Sequence, residues 1–167
     1  MAGRLLAALA VVLGLALVWG LRETPPPSAR QDPAGHAERA RAAEVKRRFD
    51  QAVLMLHAKQ YEHAITALHR VLELAPRLPE AHANMGFALS GLQRWAAARD
   101  FFQGAIELEP RQANAYYGLG LAADALGDRA LAKGAMRSYL HLARSESEAH
   151  LARARSALWE WEQGGGR

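Results

Sequence analysis

Residues 79–112 read PEAHANMGFALSGLQRWAAARDFFQGAIELEPRQ, and this stretch decides the fold. It contains two helical patterns joined by a turn and closed by a proline. Laid over its neighbours, Pro76 and Pro110 stand 34 positions apart. Ala64, Ala98 and Ala132 recur at the same interval, as do Gly86 and Gly120, and so do the bulky Leu68, Phe102 and Met136. A fixed period of this length is the mark of stacked supersecondary units, each too small to bury its apolar face alone.

Physical reasons attach to these slots. The alanines sit where two helices of one hairpin cross, and a larger side chain would hold the backbones apart. Gly86 and Gly120 act likewise from the first helix, despite a cost of roughly 1 kcal/mol for glycine inside a helix. Phe102 is expected to fill the space between hairpins. Pro76 and Pro110 end second helices, because proline breaks the hydrogen-bond ladder and restricts the residue before it.

From Val45 to Arg144 the chain resembles tetratricopeptide repeat proteins. The middle unit holds His82, Met85-Gly86, Leu89, Ala98, Phe102, Ala105 and Pro110 at the characteristic slots, and the third holds Tyr116, Leu119-Gly120, Ala123, Ala132, Met136, Tyr139 and Arg144. The first unit begins loosely, with Arg48 and Gln51-Ala52, then settles into Ala64, Leu68, Val71 and Pro76. The resemblance implies an all-α fold of three helix hairpins in a right-handed solenoid. The units run over 45–78, 79–112 and 113–144, followed by a capping helix over 145–163 and a disordered tail over 164–167.

The rest of the chain is read around this array. The 167 residues allow one modest domain plus a tail or anchor. No cysteine is present, which excludes disulfides, thiolate zinc sites and lipidated amino-terminal cysteine. The net charge of +4 is dispersed along the chain, unlike the clustered stripe of nucleic-acid binders, so no nucleic-acid partner is expected.

Residues 1–21 are expected to be a transmembrane helix that anchors the chain in a lipid bilayer, or else a cleaved signal. Leu5 to Leu21, LLAALAVVLGLALVWGL, carries no charge. Arg4 ahead of it favours a cytoplasmic start, Trp19 suits an interface, and Val18-Trp19-Gly20 is a mediocre cleavage site. Residues 22–35 contain ETPPPSARQDPAG, whose prolines predict an extended spacer. Residues 36–44 extend the first repeat helix, with Glu44 four positions before Arg48. Lys46-Arg47-Arg48 is a solvated helix face or a lipid-headgroup contact. Toward the end, Ser145-Glu-Ser-Glu offers helix-capping chemistry, and Trp159 and Trp161 read as cap packing and surface.

No catalytic constellation emerges, and neither an enzyme nor a cofactor is expected. The seven histidines include no pair at the three- or four-residue spacing of a shared helix face, and no phosphate loop or Ser-centred glycine elbow occurs. Binding is what remains. In such arrays the first helices line a concave face, and the partner-binding groove is read as Phe49, Val53, Leu56, Asn84, Phe87, Tyr117, Leu121 and Asp124, with Lys46, Asp50, His57, Glu80, Ala83, Ser90, Asn114 and Gly118 on the same face. Relatives that grip a terminal carboxylate use lysine, arginine and asparagine at set positions. Only Asn84 matches here, since Phe49, Val53, Asn114 and Gly118 occupy the other slots. The apolar members suit an amphipathic helix or an extended segment of a protein or peptide partner.

The layout of anchor, spacer and repeats resembles anchored repeat proteins that assist assembly of bacterial envelope complexes, including accessory subunits of haem attachment to cytochromes. This implies a scaffold in the inner membrane with its repeats in the periplasm. A soluble periplasmic chaperone and a structural oligomerisation module stay open as alternatives.

Overall fold

The computed structural model describes residues 33–143 and 147–164. The expected membrane segment, most of the spacer, residues 144–146 and the last three residues lie outside them. Among the described residues, no helix is long and apolar enough to cross a membrane. The chain divides into two units at Arg39 and Ala40, and the described part of the first, residues 33–39, is almost wholly exposed.

The described residues hold α1 (Pro33–His57), α2 (Tyr61–Leu74), α3 (Pro79–Gly91), α4 (Trp95–Leu108), α5 (Ala113–Ala125), α6 (Arg129–Leu142) and α7 (Glu148–Gln163). Helices α1 to α6 form three hairpins, and α7 packs on α6. The first helix begins at Pro33, inside the stretch read as spacer. Proline opens a helix without loss because the first N–H groups have no intrahelical acceptor. The charges of Lys46-Arg47-Arg48 are taken up along α1 itself: Lys46 pairs with Asp50 at 2.6 Å, and Arg47 and Arg48 both pair with Glu44.

The turns at 58–60, 92–94 and 126–128 repeat one device. Lys59, Gln93 and Gly127, again 34 residues apart, have φ of 59°, 58° and 83°. In each turn this residue's N–H donates to a carbonyl three residues back, and the next N–H donates five back: Lys59 to Leu56 and Gln60 to Met55, Gln93 to Ser90 and Arg94 to Leu89, Gly127 to Asp124 and Asp128 to Ala123. That pairing closes a helix end through a left-handed residue and satisfies its last carbonyls.

The ends of the second helices follow from proline. Ala75 and Glu109, each just before a proline, have φ near −140° (−136° and −140°), off the helical region, and α2 and α4 stop one residue earlier. At the last helix the cap is Ser147, whose side chain accepts from the N–H of His150, with Glu148 in the first turn.

Ala64, Ala98 and Ala132 are fully buried, as are Leu68, Phe102 and Met136. Phe102 stands edge-on to Phe87, with ring centroids 4.9 Å apart. A methyl group on Gly86 would lie 2.7 Å from the Phe102 ring, and one on Gly120 would lie 3.3 Å from the end of Met136. Small residues on the first helices therefore make room for large ones on the second. Leu151, Ala154 and Trp161 of α7 complete a cluster with Ala132, Met136 and Tyr139, covering the apolar side of the third hairpin. Trp159, by contrast, is 61% exposed.

Candidate functional site

A cleft of about 680 Å³ is lined by Leu56 and His57 of α1, Tyr61 of α2, Asn84 and Phe87 of α3, Asn114 and Tyr117 of α5, Tyr139 of α6 and His150 of α7. Each side chain is placed by the packing beneath it. Phe87 is held by Phe102. Tyr117 leans on Tyr139, with ring centroids 5.1 Å apart, and Tyr139 is itself only 4% exposed. Tyr61 lies directly over Gly91, where a β-carbon would collide with its ring. The ring contacts brace Phe87 and Tyr117 from behind, while Gly91 leaves the space that Tyr61 occupies.

Of the eight residues read from the sequence as the groove, the structure brings four together: Leu56, Asn84, Phe87 and Tyr117. Phe49 does not line the cleft but packs half-buried against the core. Val53 is half-buried and lies outside the lining, and Leu121 is exposed away from it. Asp124 is also outside, held beside Arg129 with 2.9 Å between Oδ1 and Nε. That contact is close but poorly directed, since the same oxygen has no geometrically acceptable hydrogen bond. Two further positions on the expected concave face, Ala83 and Gly118, are buried. Gly118 is covered by the Phe102 ring of the hairpin before it. For the positions in the first and third hairpins, transfer by a fixed period assigns the surroundings of the central hairpin, yet the end hairpins have a repeat on one side only.

Tyr61, Tyr139 and His150 were not read from the sequence. They come from second helices and the cap, where the period carries no instruction about the groove. Tyr61 had one signal: it stands 34 residues before Trp95, an aromatic at the same place in the next unit.

Among the described residues that line the cleft, none is Lys, Arg, Asp or Glu. Its polar equipment is two amides, two imidazoles and three tyrosine hydroxyls. Among the described residues, no group of three or more His, Asp or Glu is placed to hold a metal ion. The arrangement is suited to burying apolar side chains and hydrogen-bonding uncharged groups.

No family description and no curated protein matches this sequence. Solved structures do. The tetratricopeptide domain of Sgt2 from Aspergillus fumigatus is 23% identical, over 74% of this chain and 85% of that one, with a TM-score of 0.63. The first such domain of Spaghetti (RPAP3), bound to the HSP90 peptide SRMEEVD, is 21% identical over 74% of this chain and 94% of that one, at 0.67. The Yersinia enterocolitica type III secretion chaperone SycD, in complex with a peptide of the translocator YopD, is 12% identical over 74% and 95%, at 0.68. The chain has the fold of a tetratricopeptide array: three hairpins and a closing helix.

Proposed function

We propose that this chain is an adaptor that holds a protein or peptide partner in the cleft lined mainly by its first helices. The observation that carries the reading is the cleft itself, whose Phe87 and Tyr117 walls are braced by Phe102 and Tyr139 and which no described segment fills. Two structures of the same fold, Spaghetti and SycD, contain bound peptides, which supports a peptide segment as the thing held.

The remaining parts of the proposal rest on the sequence. The uncharged run Leu5 to Leu21 would tether the array to a bacterial inner membrane, with Arg4 on the cytoplasmic side and the repeats in the periplasm. A role in assembling an envelope complex, such as the machinery that attaches haem to cytochromes, is supported by this order of anchor, spacer and repeats alone. The alternative form is a soluble periplasmic chaperone, released by cleavage at the mediocre site Val18-Trp19-Gly20. Carbonate extraction with amino-terminal sequencing separates the two.

Photocrosslinking from position 117 in intact membranes tests the adaptor reading. A defined partner should be captured from 117 but not from Gln103, and Asn84→Asp with Phe87→Asp should abolish capture without changing helicity or sedimentation. Equal capture from both positions, or a change in oligomeric size with the paired substitution, would sink it.

A further inference from the structure

The cleft distinguishes between the two occupants that its apolar lining admits. Asn84 is half-buried and Asn114 exposed, and the side-chain amide of neither has a hydrogen-bond partner among the described residues. Each amide offers a carbonyl acceptor and an NH2 donor, which can pair with the single N–H and the C=O of a peptide unit. A helical partner satisfies its own N–H and C=O groups and leaves nothing for these amides. An extended one presents both along its length.

The spacing fits as well. Helices α3 and α5 are in contact, and Asn114 follows Asn84 by 30 positions rather than 34. It therefore stands one turn nearer the start of its helix than the counterpart of Asn84 would. A turn rises about 6 Å over four residues, and packed helix axes lie about 8–10 Å apart. The two backbone positions are thus about 10–12 Å apart, the length of three to four residues of extended chain at about 3.3 Å each.

Charge narrows the occupant further. A carboxylate or ammonium entering this lining would lose hydration and meet no opposite charge. None of the lining residues carries a formal charge, and the carboxylate next to Tyr61 in sequence, that of Glu62, is already matched by Arg94 at 2.7 Å.

We infer that the occupant is an extended, uncharged, internal stretch of another protein, its main chain gripped by Asn84 and Asn114 and its apolar side chains set against Phe87, Tyr117 and Tyr61. This deepens the adaptor reading and rests on it.

The test selects a random dodecapeptide library displayed on phage against the full-length chain, with counter-selection on the Phe87→Asp variant. Enriched peptides should lack Asp, Glu, Lys and Arg, and titration calorimetry should give the same affinity with a free or an amidated carboxyl end. Asn84→Ala and Asn114→Ala, checked for helicity, should each weaken the best peptide roughly 3- to 15-fold, the net worth of about one hydrogen bond. Methylating the peptide's main-chain nitrogens one at a time should find sensitive positions three to four residues apart.

Acidic peptides, dependence on a free carboxylate, or indifference to every main-chain methylation would overturn the inference while leaving a peptide-binding cleft. Failure to enrich any sequence over the Phe87→Asp background would overturn the cleft reading and the inference together.

Discussion

The ring of Phe102 rests on the backbone of Gly118, a residue of the next hairpin, with no room for a side chain between them. Alanine in an open helix would gain roughly 1 kcal/mol over glycine. Here its methyl group would push into a ring that is fully buried and cannot swing away. Overpacking of this kind costs about 1–3 kcal/mol. Gly118→Ala should therefore lower the urea midpoint, and Phe102→Leu in the same chain should recover part of the loss. A Gly118→Ala variant more stable than the parent would contradict the packing described.

Gly91 meets Tyr61 in the same way, with a different expected result. Tyr61 is half-buried at the edge of the cleft, and its ring can rotate toward solvent. Gly91→Ala should change stability by less than about 1 kcal/mol, in the range of surface substitutions. It should nonetheless move the Tyr61 ring, seen as altered ring chemical shifts and weaker binding of any cleft ligand. A stability loss above about 2 kcal/mol would show that Tyr61 is held more tightly than the geometry indicates.

Lys59 and Gln93 hold a left-handed conformation at a cost of roughly 1–2 kcal/mol each, which glycine avoids. Part of that gain is lost to the greater freedom of glycine in the unfolded chain. Lys59→Gly and Gln93→Gly should each stabilise by about 0.5–1 kcal/mol. Gly127→Ala should destabilise by a similar amount, although nothing lies within 4 Å of the added carbon. Thermal unfolding of the three variants decides it: a neutral Gly127→Ala would remove backbone strain as the cause.

Trp161 is 5% exposed and Trp159 is 61% exposed on the same helix. Trp161→Ala should cost about 3–5 kcal/mol and uncover Met136 and Tyr139, with self-association visible in sedimentation. Trp159→Ala should stay within about 0.5 kcal/mol of the parent. Equal effects from the two would mean that α7 does not pack as described.

The hairpins were legible because burial alternates with a period that the letters display directly. Alanine, phenylalanine and proline each have one physical role at their slots, so Ala98, Phe102 and Pro110 could be placed without coordinates. Gly118 could not. It has no side chain to declare a face, and only the position of Phe102 shows that it must be small. The left-handed turns were hidden because two of the three carry Lys59 and Gln93 instead of glycine. Of the cleft, the part contributed by first helices was readable from helical spacing. Tyr61, Tyr139 and His150 were not, because they arrive from elements that the repeat pattern assigns to the other face.

A lining without formal charge exerts no pull at a distance. The lining adds no steering of its own, so association is expected at an ordinary rate of about 10⁵–10⁶ M⁻¹ s⁻¹, with any dependence on ionic strength coming from the dispersed net charge of +4. Discrimination must come from how slowly a fitting segment departs rather than from how fast it arrives. Such a receptor works best where its partner is confined to the same small volume, so that repeated collisions replace steering.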